Sequence, residues 1–136
     1  MMSDILADTH TIVWSLSDPG RLSTAAAVTL TAAETSGRIL ISTITFVELT
    51  YLIEKGKIDP AVLMELWSAV RDPAEPIDAL PLSLGVAEVF SQIPRGTVPD
   101  MPDRIIAATA LASGLPLVSA DKRIRSLAVA GLTVIW

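Results

Sequence analysis

Short apolar runs of three to five residues alternate along the chain with longer stretches whose apolar positions recur every three or four residues. The first kind suits a strand buried on both faces, the second an amphipathic helix. Ile5 to Ala7 reads as a strand, and Thr9 to Leu16 as a helix that ends before the Asp18-Pro19-Gly20 turn. Ser23 caps an alanine-rich helix running to about Ser36, Gly37 stops it, and Arg38 to Ser42 is a second strand. Thr43 to Lys55 is helical up to Gly56, Pro60 opens a helix to about Val70, and residues 72–76 form a loop. A short strand over Ile77 to Leu80 leads to a helix over Leu82 to Gln92 and a surface loop from Pro94 to Pro99. Asp100 to Ser113 gives the strongest helical pattern, with Gly114 as its stop. A strand over Leu115 to Ser119, a short helix after Asp121 to about Leu127 and a terminal strand over Leu132 to Ile135 complete the series. The alternation predicts one α/β domain over residues 1–136, a three-layer α/β/α sandwich around a mainly parallel sheet. Its ligands should bind near the carboxyl ends of the strands.

Four carboxylates break or close these apolar runs, namely Asp8, Glu48, Asp103 and Asp121. Asp8 and Asp121 each follow a strand and precede a helix, as an N-cap would, and Asp103 falls in a first helical turn, where the helix dipole favours an anion. Capping does not exclude metal binding, because one carboxylate oxygen can face an amide while the other faces an ion. Glu48 has no capping role at mid-helix. With Ile44 and Leu52 one turn to either side, it leans into an apolar surface and needs a cation, a hydrogen-bond cluster or an exit to solvent.

Composition narrows the chemistry. The chain has no cysteine and one histidine, His10, which reads as a structural or surface residue. Thiolate sites are thereby excluded, and what remains is oxygen chemistry, which selects hard ions such as Mg²⁺ or Mn²⁺. Such ions commonly serve hydrolysis at phosphate. Hydroxyls at Thr9, Ser42, Thr43 and Ser119 adjoin the acids, either as caps or as groups that orient a carboxylate or a water. Aromatic residues, at 4%, are too sparse for a reader that stacks single strands, so Trp14, Trp67 and Trp136 read as core or interface residues. Met64 and Met101 read as gap-fillers.

The formal charge of −5 argues against nucleic acid on its face. Yet the four acids hold most of it, and Arg104, Lys122, Arg123 and Arg125 lie within four positions of Asp103 or Asp121, as a basic rim around an acidic centre. An apolar fraction of 51% with mean hydropathy of +0.54, but without an apolar run of about 20 residues, indicates a partner surface and no membrane span. The start, Met1-Met2-Ser3-Asp4, lacks the basic and apolar regions of a signal peptide, so a cytoplasmic location is expected.

Four segments in this order resemble PIN-domain ribonucleases, specifically VapC-type toxins of type II toxin-antitoxin systems. They are Asp8-Thr9-His10-Thr11-Ile12-Val13-Trp14, Ser42-Thr43-Ile44-Thr45-Phe46-Val47-Glu48-Leu49, Asp100 to Ala110, and Leu117-Val118-Ser119-Ala120-Asp121. The resemblance implies Mg²⁺- or Mn²⁺-dependent cleavage of RNA, inhibition by a cognate antitoxin protein and a homodimer. Carried over position by position, the catalytic and metal-ligating residues would be Asp8, Glu48, Asp103 and Asp121, with Thr9 and Ser119 in support. Arg104, Lys122 and Arg123 stand as RNA contacts beside them. Relatives often carry Asp-Pro three residues before the aspartate that matches Asp103. This chain has Asp100-Met101-Pro102 instead, so Asp100 is read as a cap and outer-shell residue, not a ligand.

Two rivals remain. A phosphoacceptor receiver domain also gathers acids around Mg²⁺, but it needs an acidic pair after the first strand, and Asp8 has no acidic neighbour. The other is a PIN-like fold that binds without catalysis, against which the retention of all four acids argues.

Overall fold

Ile5, Leu6 and Ala7 are buried in succession, as the centre of a sheet covered on both faces requires. The computed structural model describes residues 3–136. Met1 and Met2, the start of the segment expected to lead into the first strand, lie outside the described residues. Strand β1 is Ile5–Ala7, and it is followed by α1 (Thr9–Ser17), α2 (Thr24–Ser36), β2 (Ile39–Ser42), α3 (Thr43–Glu54) and α4 (Pro60–Arg71). Then come β3 (Ile77–Leu80), α5 (Leu84–Val89), α6 (Met101–Ser113), β4 (Leu117–Val118), α7 (Lys122–Arg125) and β5 (Val134–Ile135).

The strands form a single sheet in the order β3-β2-β1-β4-β5, and every pairing is parallel. Successive side chains of β1 point to opposite faces. Ile5 and Ala7 join Ile39 and Ile41 in a core with Ile12 and Val13 of α1, Leu30 of α2, Phe46 and Leu49 of α3 and Leu66 of α4. Leu6 joins Leu117 in the other core, with Val86 of α5, Ile106 of α6 and Ile124 of α7. The three-layer sandwich expected from the alternation is thus present, with helices on both faces. The order also excludes the receiver architecture, whose sheet runs 2-1-3-4-5.

The element boundaries differ from expectation mainly where the strands are short. The ladder of β4 covers only Leu117–Val118, and that of β5 only Val134–Ile135. Single hydrogen bonds prolong them, from Leu117 N–H to Thr133 O and from Ser119 N–H to Ile135 O. The helix expected over Leu82 to Gln92 begins later, because Ser83 caps it through the Val86 amide, and it ends in a 3₁₀ turn over Phe90–Gln92. The segment expected as a surface loop is anchored at both ends, with Ile93 and Val98 buried in the second core. The methionines read as gap-fillers are not core residues: Met64 is 71% and Met101 61% exposed.

Two glycines have specific work. A Cβ on Gly37 would sit 2.7 Å from Asp4 Oδ1 and from the Ser3 carbonyl carbon, so the turn from α2 into β2 passes the segment before β1 this closely only through glycine. Gly114 ends α6 in the left-handed region at φ 65°, which glycine adopts without a Cβ clash.

Candidate active site

The chain turns from β1 to β2 and β3 on one side of the sheet, and then crosses to β4 and β5 on the other. The crevice at the carboxyl ends of β1 and β4 is therefore the switch point, where this architecture binds ligands. Asp8 follows β1, and Ser119 and Asp121 follow β4. Asp8 is only 4% exposed, with Oδ1 accepting from the Thr11 amide at 2.9 Å and Oδ2 accepting from the Ser119 hydroxyl at 2.5 Å. Ser119 Oγ also accepts from the Asp121 amide at 3.1 Å, so one hydroxyl ties the two strand ends together. Asp121 caps α7 through the amides of Arg123 and Ile124.

Thr9 and Thr45 hold Glu48. The Thr9 hydroxyl donates to Glu48 Oε1 at 2.6 Å, and Thr9 Oγ1 lies 3.1 Å from Thr45 Oγ1. A threonine hydroxyl has one proton, and that of Thr9 is engaged by the carboxylate, so Thr45 is the donor to Thr9. Both threonines are buried, and the chain Thr45 to Thr9 to Glu48 fixes the carboxylate of a side chain that has no cap to hold it. Thr9 was legible as a supporting hydroxyl. Thr45 was not, although its position three residues before Glu48 on a helix puts both on one face.

Glu48, Asp100 and Asp103 present carboxylate oxygens that all lie within 4.8 Å of one another. Asp100, expected as a cap and outer-shell residue, caps α6 and also stands in the acidic cluster: its Oδ1 accepts from the Asp103 amide at 3.0 Å and its carboxyl joins the trio. The Met-Pro pair that follows it permits this, because Pro102 sits in the first turn of α6, where no amide proton is needed. Burial pushes the Asp103 carboxyl up to about 7, helped by the negative charges of Asp100, Asp121, Glu48 and Asp8 in that order. Burial also raises Glu48, against the Thr9 hydrogen bond and His10 and with Asp100 and Asp8. The acids are thus close enough to repel one another, the condition a multivalent cation relieves.

The basic rim is only partly as expected. Lys122, Arg123 and Arg125 are exposed on α7 beside Asp121. Arg104 is half-buried and committed elsewhere: its Nε and one terminal nitrogen donate to the Ile93 carbonyl at 3.1 and 2.8 Å, and its guanidinium lies 4.0 Å over the Phe90 ring. It is a clamp between α6 and the segment before it, which leaves little of it for RNA. His10 is exposed, with its ring 5.9 Å from that of Trp14.

A sequence model of the PIN domain matches residues 5–130. The chain belongs to the PIN domain family. Among curated relatives, this PIN domain is 32% identical over 125 residues to Ribonuclease VapC22 of Mycobacterium tuberculosis (strain ATCC 25618 / H37Rv), covering 92% of each chain. Its fold is similar to that of a chain in the VapBC2 structure from Rickettsia felis bound to a promoter DNA fragment, at a TM-score of 0.70 and 15% identity over 96% of each chain. The DNA-bound VapBC structure from Salmonella typhimurium gives a TM-score of 0.69 at 20% identity, covering 98% of this chain and 97% of that one. Among the described residues of this PIN domain, no helix is long and apolar enough to cross a membrane.

Proposed function

We propose that this PIN domain is a divalent-metal-dependent endoribonuclease and the toxin of a toxin-antitoxin pair. The observation that carries the reading is the trio of Glu48, Asp100 and Asp103, assembled beside Asp8 and Asp121 at the switch point of the sheet. Likeness to a ribonuclease over 92% of the chain supports RNA as the substrate.

The donor set fits Mg²⁺ or Mn²⁺: it is all carboxylate oxygen, and the mutual repulsion that raises Asp103 is relieved by a dication. Glu48, Asp100 and Asp103 would hold the ion, with Asp8 and Asp121 adding negative charge and further ligand oxygens. What an ion supplies when bound is Lewis-acid stabilisation of the charge that develops on the phosphate. The remaining work falls to the chain itself. Thr9 and Thr45 orient Glu48, Ser119 and the Thr11 amide orient Asp8, and the Asp100 carboxyl sets the first turn of α6 that carries Asp103. Lys122 and Arg123 attract the phosphate backbone to the Asp121 side.

A cognate antitoxin would cover the acids when cleavage is not required. Leu82, Leu84 and Met101, exposed by 52, 86 and 61%, supply apolar surface for the second copy of a homodimer. The reading is tested with purified protein and RNA: cleavage should require Mg²⁺ or Mn²⁺, stop with EDTA and be lost in Asp8→Asn. A folded protein that binds RNA and never cuts it would instead be the non-catalytic binding module.

A further inference from the structure

With Arg104 committed to Ile93, none of the cations expected at the site lies on α1 or α3, the helices that carry Thr9 and Glu48. The seam between these helices continues away from the acids into a hollow of about 540 Å³. At its near end is His10, adjacent to Thr9 and close enough for its charge to act on Glu48. Trp14 of α1 and Leu52, one turn beyond Glu48 on α3, form its walls, and Arg21 and Lys57 stand at the rim. At ~1.5 Å per helical residue, Leu52 is about 6 Å beyond Glu48, a separation of a few nucleotides at most along a single strand.

Arg21 and Lys57 are both exposed. The Arg21 guanidinium lies 4.5 Å over the Trp14 ring, a contact that uses its flat face and leaves the N–H edge free. Among the described residues the one ion pair joins Arg38 to Asp78. Asp18 also lines the hollow but pairs with neither Arg21 nor Lys57, so two cations face one acid there. We propose that this hollow is a second RNA subsite, in which Arg21 and Lys57 hold a backbone phosphate a few nucleotides from the bond that is cut. The proposal rests on the ribonuclease reading. A strand crossing the acidic centre needs cations on both sides of it: α7 supplies them beyond Asp121, and Arg21 with Lys57 supplies them beyond Glu48. An acidic peptide would have only this side, and would be repelled by the acids that the RNA approaches with bound cations. The exposed His10 ring, tilted against Trp14, gives a base next to that phosphate an aromatic surface.

The test is a double substitution, Arg21→Gln with Lys57→Gln, against a control that removes the same charge elsewhere, Arg38→Gln with Arg71→Gln. Arg71 also lies over a tryptophan, Trp67, but it lines a different hollow. Binding of a fluorescent single-stranded RNA is measured by anisotropy in the Asp103→Asn background, and cleavage in the Asp103-intact chain. The seam pair should weaken binding about tenfold or more and reduce the slope of log K against log salt by about 0.7, for the one phosphate the two residues hold. KM should rise while kcat holds, and the control pair should change affinity less than about twofold. If the parent cuts RNA and the seam pair keeps its affinity and KM, or if both pairs lose affinity equally, the subsite is overturned and the nuclease reading stands. If the parent neither binds nor cuts, both fall. Lost affinity for a protein partner with RNA binding intact assigns the hollow to that partner and also overturns the proposal.

Discussion

Thr9 donates its only hydroxyl proton to Glu48, so the 3.1 Å contact between Thr9 and Thr45 runs from Thr45 to Thr9. Thr9→Val removes a bond to a carboxylate, worth about 1.5 to 3 kcal/mol, and should lower kcat by about tenfold or more. Thr45→Val removes a neutral bond of about 1 kcal/mol and should have a smaller effect in the same direction, while Thr45→Ser restores the parent rate. Steady-state kinetics on the three variants decides it: a Thr45→Val enzyme with parental kcat and Mn²⁺ affinity would show that Thr45 only fills space.

The raised Asp103 carboxyl sets a pH dependence with a definite sign. In the metal-free protein the folded state keeps this proton up to about 7, whereas the unfolded chain releases it near the ordinary value of 3.8. The folded form therefore binds more protons between those values, and its stability falls as pH rises from about 4 to about 7, then levels off. Glu48, raised as well, acts with the same sign. Urea midpoints measured in EDTA should decline across that window in the parent and decline less in Asp103→Asn. Mn²⁺ affinity should rise with pH over the same range, because binding must expel the proton.

Ser119 satisfies one oxygen of a carboxylate that is 4% exposed and accepts from the Asp121 amide at the same time. Ser119→Ala leaves Asp8 short of a donor in a buried setting, at a cost of about 1 to 3 kcal/mol. Chemical denaturation should show that loss, and RNA cleavage should fall with it. Parental stability and rate together would mean that Asp8 is positioned by the Thr11 amide alone.

Arg104 and α7 should behave differently toward salt. Arg104→Gln loses the fork on Ile93 and the stack on Phe90, so stability falls by about 1 to 3 kcal/mol and the salt slope of RNA binding does not change. Lys122→Gln and Arg123→Gln should leave stability within about 0.5 kcal/mol and each reduce the slope by about 0.7. A reduced slope in Arg104→Gln would restore it as an RNA contact.

The sheet and both helical layers were legible because strand runs and helix periods in this chain rarely conflict: Ile5 to Ala7 and Asp100 to Ser113 each carry one pattern only. The ends of β4 and β5 were not, because a two-residue ladder is set by its neighbours and not by its own sequence. Asp8, Glu48, Asp103 and Asp121 stood out as acids in apolar settings. Asp100 and Thr45 did not, since a cap and a buried threonine on a helix look ordinary until the fold brings a second element against them. The direction of Arg104 was not legible either: a cation next to an acid in sequence points wherever its helix turns it, here to the Ile93 carbonyl.

If Glu48, Asp100 and Asp103 hold one divalent ion used to cut RNA, cleavage in Mn²⁺ by Asp100→Asn and Asp103→Asn must fail. Each variant should bind Mn²⁺ at least about tenfold more weakly by calorimetry and lose about 100-fold or more in rate, while remaining folded. EDTA should abolish the parent's activity. If Asp103→Asn cuts as fast as the parent, or if the parent cuts in EDTA, the trio is not the catalytic centre.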